Sequence, residues 1–396
     1  MSRHSPQGDD GTGGEPGGAA REDGTGAREG RARSLGVEEE YLLIDPLTGL
    51  PVARADQVMA AARLQPALDP DEVQHELLQA QVEIATPVCE SLEEVGGHLL
   101  RMRLALGEAA ESCGCRLAAS GAAPVTGRDP VPVTPTPRYR AMRADAPQLT
   151  DEQLVNGMHV HIGIADRGMR LAVLNRLRPW LPVLVALAAN SPVWNGSDTG
   201  FASWRTVVYG RWPVTGVPPL FADADDYDRR TAALRDSGII PDLGQAYWQA
   251  RLSARYPTLE VRAMDVQLRA DDAVMLAGLV RALAATALRE ERDGVPPPDR
   301  RPESLAGANW YAARYGLTDE LHDPVTGRLR RVGDIVSLLA DHTAAALEEA
   351  GDTRQVSAAL HRLLREGNGA QLQQHTFVDS GLGGLVDLIV DRTASR

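Results

Sequence analysis

Four stretches of this 396-residue chain alternate apolar and polar residues with the two-residue period of a half-buried β-strand. In residues 34–44 the alternation puts Leu35, Val37, Tyr41 and Leu43 on one face and Glu38 and Glu40 on the other. Residues 81–86 set Gln81 and Glu83 opposite Val82 and Ile84, and Pro87 closes the stretch. In residues 156–164, Met158, Val160, Ile162 and Ile164 face away from Gly157, His159, His161 and Gly163, and small residues beside the histidines leave room for a ligand. Residues 257–265 place Glu260 and Arg262 opposite Leu259 and Val261.

Elsewhere the period is helical. Leu92, Val95, Leu99, Met102 and Leu106 form one stripe over 91–111, and 169–189 reads as a helix bent at its two prolines. Beyond Asp271 the chain predicts helices over 271–293, 303–315, 333–350, 353–366 and 383–392, separated by Gly and Pro clusters. A short strand is expected at 116–119. The turn chemistry of Asp45-Pro46-Leu47-Thr48-Gly49 predicts a second strand returning antiparallel through 50–53. Residues 121–138 form a long Pro-, Gly- and Thr-rich loop of the kind that edges active sites. Residues 1–33 contain no Val, Ile, Leu, Cys or aromatic residue and read as a disordered Gly-rich tail, leaving 34–396 as a single α+β domain.

Composition narrows the chemistry. All 41 basic residues are Arg, so a P-loop lysine and the lysine Schiff base of pyridoxal-phosphate enzymes are excluded. A net charge of −13 argues against nucleic acid as a partner. Three cysteines, Cys89, Cys113 and Cys115, make no disulfide framework or zinc set, which points to a reducing cytoplasm. No membrane partner is expected: the best apolar stretch, 181–189, is short and carries Pro182, and the N-terminus lacks a signal-peptide core.

Each polar face has two readings. Glu38 and Glu40 form either a solvated acidic strand or half of a metal site; His159 and His161 either a hydrogen-bonded pair or ligands; Glu260 and Arg262 either a cross-face ion pair or site residues. The polar loop 190–200, which leads to Arg205, is either a surface connection or a recognition loop for an anion. If the four strands share one antiparallel sheet, its inner face collects Glu38, Glu40, Glu83, His159, His161, Glu260 and Arg262, with helices on the opposite face. Glu76 reaches them only if the chain bends between 76 and 83. Carboxylates so gathered require cations, and oxygen-rich ligation with imidazole suits Mg2+ or Mn2+. Bound phosphates would fill the open metal positions, and Arg262 would meet charge developing on a transferring phosphoryl group. A zinc hydrolase centred on His159 and His161 is the competing enzyme reading, but no third His or Cys stands at a suitable spacing.

The stretches GVEEEYLLIDP (36–46), ELLQAQVEIATP (76–87), NGMHVHIGI (156–164), ANSPVWNGSDTGFASWR (189–205), LEVRAMD (259–265) and WYAARYGL (310–317) occur in this order over about 280 residues. Together they resemble the YbdK-type carboxylate–amine ligases, the second glutamate–cysteine ligase family. That resemblance implies a glutamine-synthetase-like catalytic domain, with a curved antiparallel sheet and helices on its outer face. It also implies ATP-driven joining of a small carboxylic acid and an amine through an acyl phosphate, glutamate and cysteine being the default pair, and the possibility of a homodimer. By motif, Glu38, Glu40, Glu76, Glu83, His159 and Glu260 are its metal ligands. His161 is its nucleotide-phosphate contact, Arg262 its phosphoryl-stabilising arginine, and Arg205 a contact to phosphate or to the substrate carboxylate. The chain departs from the family pattern at Gly121-Ala122-Ala123-Pro124, at Tyr311 and around Leu372. These departures leave a different acid–amine pair, or a nucleotide-binding protein of reduced activity, as alternatives.

Overall fold

The computed structural model describes residues 34–394; the N-terminal stretch expected as a tail lies outside the described residues. The four alternating stretches all become strands of one sheet. Its seven strands are β1 (Leu35–Ile44), β2 (Val73–His75), β3 (Gln81–Ala85), β4 (Arg116–Ala118), β5 (Gly157–Gly163), β6 (Ala250–Leu252) and β7 (Thr258–Asp265). They run in the order β6-β7-β5-β1-β3-β2, with β4 beside the end of β1, and every pairing is antiparallel.

One face is apolar. Leu35, Val37, Tyr41 and Leu43 of β1, Val82 and Ile84 of β3, Met158, Val160 and Ile162 of β5, and Leu259 and Val261 of β7 are all buried in one core. Helices Leu92–Ser112, Arg167–Leu177, Leu181–Ala188 and Ala270–Arg292 pack on that side. The arrangement follows from the period of two: a strand with one apolar face must bury it, and the other face is left for chemistry. The run Arg167–Ala188 is more continuous than its prolines suggest, since a single 3-10 turn carries it past Pro179. It is long and apolar enough to cross a membrane, but 94% of its apolar window is buried inside the fold, where it serves as core.

Three expectations change. The return strand at 50–53 shrinks to one bridge between Ile44 and Pro51, with Val52 N–H donating to Leu43 O, because Pro51 has no N–H to extend the ladder and a helix starts at Ala55. The last helix begins at Gly369 rather than near 383. Asn368 and Gln371 make a reciprocal capping box there, and the helix kinks at Gly381, whose φ is +65°. Helices at Ala55–Ala62, Pro137–Asp145 and Ala224–Asp236 also escape a reading based on apolar stripes; the last is capped by Asp223 and carries few apolar residues.

The apolar face of β1 holds one residue that breaks the pattern. Glu39, between Val37 and Tyr41, is fully buried and pairs with the equally buried Arg103 of the Leu92–Ser112 helix, Nη2 to Oε1 at 2.5 Å and Nε to Oε2 at 3.0 Å. Arg103 also donates to the carbonyls of Gln267 and Leu268, and the Tyr41 hydroxyl donates to Glu39.

Candidate functional site

Strand register assembles the polar face. Glu38 lies opposite His159, Glu40 opposite Glu83, and His161 opposite both Gly36 and Glu260. A bulge in β7 between Val261 and Met264 sets Arg262 and Ala263 against the single residue His159, bending the strand and bringing Arg262 over the same row. The chain does bend between 76 and 83, and Glu76 joins the others. All nine residues singled out in the sequence, Glu38, Glu40, Glu76, Glu83, His159, His161, Arg205, Glu260 and Arg262, line one cavity of about 1170 Å³.

The carboxylates sort into two groups. Glu38, His161 and Glu260 each offer a ligand atom within 4.8 Å of the others, and so do Glu40, Glu76 and Glu83. His159 stands between them, its Nδ1 2.9 Å from Glu38 Oε2 and its Nε2 3.7 Å from Glu40 Oε1. His161 Nδ1 bonds the Thr258 hydroxyl at 3.0 Å, which turns Nε2 toward Glu38 Oε1 at 3.2 Å. Arg262 reaches Glu260 through Nη1 and the Tyr209 hydroxyl through Nη2.

Electrostatics differ between the two groups. Burial opposes ionisation of Glu38, but hydrogen bonds from His159 and His161 override it and hold the carboxyl well below its usual range. Burial likewise opposes ionisation of Glu260, and the Arg262 and Arg251 guanidiniums reverse it. Glu76 has no such partner: burial, followed by repulsion from Glu40, pushes it up to about 7. Glu83 is pushed well above its usual value by burial and then by Glu38, Glu76 and Glu40.

These residues fit hard divalent cations. Two oxygen-rich groups lie side by side, Glu76 and Glu83 are half-buried with repelling carboxylates as their closest charged neighbours, and the Nε2 atom of His159 is buried without a hydrogen-bond partner. A zinc hydrolase finds no support, because each group is built mainly of carboxylates and neither contains a cysteine or a second histidine. Divalent-cation affinity is expected to rise with pH through about 7, as Glu76 gives up its proton. A carboxyl whose folded pKa is raised loses stability for the fold as pH climbs from its unfolded value to about 7. Without cation the melting temperature should therefore fall over that window, and added Mg2+ should restore it. Calorimetric titration in buffers of different ionisation enthalpy would show proton release near pH 7 in the parent and a smaller release in Glu76→Gln; equal release in both would contradict the assignment.

The glycines beside the histidines have a different use from the one expected. A Cβ on Gly157 would lie 2.8 Å from the Arg205 Cζ, and one on Gly163 would collide with Ser34. The space is taken by protein. Arg205 is buried; it lies over the Tyr209 ring with its Cζ 5.2 Å from the centroid and donates to the Arg262 carbonyl at 3.4 Å. Gly157→Ala should displace this guanidinium and lower turnover by about 100-fold, with little change in denaturation midpoint because a flexible side chain can give way. Unchanged turnover in a folded variant would remove Arg205 from the site.

Some site residues were not legible in advance. Arg251 of β6 faces Glu260 and grips it at 2.8 and 3.1 Å while donating to the Gly244 and Ala246 carbonyls. The apolar–polar–apolar alternation of Ala250-Arg251-Leu252 was the signal for it. Asp265 accepts from Asn190 N, Ser191 Oγ and Ser203 Oγ at 2.7–2.9 Å, tying the loop that leads to Arg205, and the N-cap of the short helix Trp204–Tyr209 that carries it, to the end of β7. The family departures sit outside the cavity lining. Ala123 is buried in a satellite core against which Leu372 packs, and Tyr311 meets Tyr315 at a tilt and His322 edge-on.

A Mycolicibacterium vanbaalenii protein provisionally named glutamate–cysteine ligase 2-2 is 43% identical over 345 residues, covering 87% of this chain and 93% of its own. A Streptomyces coelicolor protein provisionally named glutamate–cysteine ligase 2 is 41% identical over 366 residues, covering 91% and 99%. The fold is shared with the crystal structure of a Francisella tularensis glutamate–cysteine ligase in complex with AMP, at a TM-score of 0.69 and 12% identity over 92% of this chain and 89% of that one. It is also shared with a bifunctional glutathione synthetase from Pasteurella multocida, at a TM-score of 0.67 and 15% identity over 91% and 52%. The profile of glutamate–cysteine ligase family 2 matches residues 34–381, and the chain belongs to that family.

Proposed function

We propose that the protein is a carboxylate–amine ligase that consumes ATP with Mg2+ or Mn2+, acting on a small carboxylic acid and an amine, with glutamate and cysteine as the default pair. The observation that carries this reading is the convergence of two carboxylate-rich groups and the Arg262 guanidinium in one cavity. Glu38 and Glu260, with His159 between the groups, and Glu40, Glu76 and Glu83 would hold the cations, which when bound neutralise the nucleotide phosphates. His161 meets a phosphate oxygen from the β5 side. Arg205 orients the acid's carboxylate, and Arg262 offers a planar fork to the phosphoryl group as its charge spreads in transfer. The carboxylate oxygen bonds to the γ-phosphorus as ADP leaves; the amine nitrogen then attacks the acyl carbon, phosphate leaves, and the nitrogen loses its proton to water. The three cysteines are free, in keeping with a reducing cytoplasm.

Purified protein, ATP, Mg2+ and a panel of acids and amines should release ADP only when both reactants are present, with the condensed amide found by mass spectrometry. ATP binding in calorimetry without amine-dependent ADP release would instead favour the nucleotide-binding alternative. The placement of Ala123, Tyr311 and Leu372 away from the cavity weakens the motive for that alternative.

A further inference from the structure

One wall of the cavity is aromatic. Tyr247 lies between Tyr209 and Trp212, tilted against the first with centroids 5.1 Å apart and edge-on to the second at 5.9 Å. Tyr139 and Met142 belong to the same satellite cluster and complete the wall. The wall begins at the transfer point, since the Tyr209 hydroxyl accepts from Arg262 Nη2 at 3.1 Å. Trp212 donates its Nε1 to Gln153 and so presents ring rather than a free donor. The nearby acid Asp242 is engaged by Arg138 at 3.1 Å. Among the described residues no hydrogen bond engages the hydroxyl of Tyr139 or Tyr247.

We propose that this wall is the amine subsite and that it selects an amine with an aryl or comparably apolar body over cysteine. The inference rests on the ligase reading and deepens it. The π faces attract a protonated amine as it enters, and the phenol oxygens can accept its N–H groups. A small thiol-bearing zwitterion leaves most of the ring area uncovered, and the adjacent cation, Arg138, is already paired with Asp242 and unavailable to a second carboxylate. The acid, by contrast, is directed toward Arg205 and Arg262.

Calorimetric binding of 2-phenylethylamine, ethylamine and cysteine to the full chain in ATP and Mg2+, with the acid omitted, tests this without turnover. 2-Phenylethylamine should bind about tenfold or more tighter than the other two, the discrimination a well-shaped apolar pocket gives. Tyr247→Ala should bring it down to the ethylamine value, and Tyr139→Ala serves as a second variant if the first does not fold. Cysteine binding as tightly as 2-phenylethylamine, or a preference that survives in the folded variants, overturns the proposal. Preserved aryl preference with no ADP release from any acid–amine pair would leave the subsite standing and count against the ligase reading alone.

Discussion

Arg262→Ala is expected to lower the rate of ADP release by about 10³–10⁵-fold, the range lost when an arginine that meets a transferring phosphoryl group is removed. Arg262 is held from two sides, by Glu260 through Nη1 and by the Tyr209 hydroxyl through Nη2, and these contacts hold its guanidinium firmly in the charged form against the effect of burial. Truncation would leave Glu260 gripped by Arg251, so the sheet should persist and ATP binding should change much less than turnover. Arg262→Lys should recover little, because a single ammonium cannot reproduce two donors in one plane. Rapid-quench measurement of ADP formation separates this step from product release. A rate within tenfold of the parent would remove Arg262 from phosphoryl transfer.

The second large effect lies on the other face of the same strand. Arg103→Met should destabilise the fold by about 3–5 kcal/mol, because it leaves the Glu39 carboxylate buried without its cation. Both side chains have no exposed surface, and Arg103 also joins the Leu92–Ser112 helix to the Gln267 and Leu268 carbonyls just beyond β7. Glu39→Leu, which leaves the Arg103 guanidinium buried without its anion, should lose a comparable amount. The double variant Glu39→Leu with Arg103→Met should be more stable than either single charge deletion, since no isolated ion remains. Urea midpoints for the four proteins decide the matter; additive losses would show that the pair is not energetically coupled.

These two arginines show what the sequence revealed and what it hid. Arg262 was legible because it shares a two-residue period with Glu260, and period alone specifies which face a strand residue occupies. The same reasoning found His159, His161, Glu38, Glu40 and Glu83 and put them on one sheet. It passed over Glu39, whose position on the apolar face is explained only by Arg103, a residue 64 positions away on a helix. Tyr139, Tyr209 and Tyr247 escaped for a related reason: they come from three short elements whose meeting is set by tertiary packing. The capping box at Asn368 and Gln371 was present in the sequence as a helix start, but Gly381, Gly383 and Gly384 diluted the apolar pattern behind it.

The cavity's permanent cations are Arg138, Arg167, Arg205, Arg251, Arg255 and Arg262, every one a guanidinium. A guanidinium stays protonated across the working pH range and offers no lone pair for attack, whereas a lysine amine would. On the proposed route an activated acyl group held against these walls meets no side-chain amine able to capture it. The catalyst is thereby spared a stable amide on its own wall, and the incoming amine has no rival nucleophile of its own kind there.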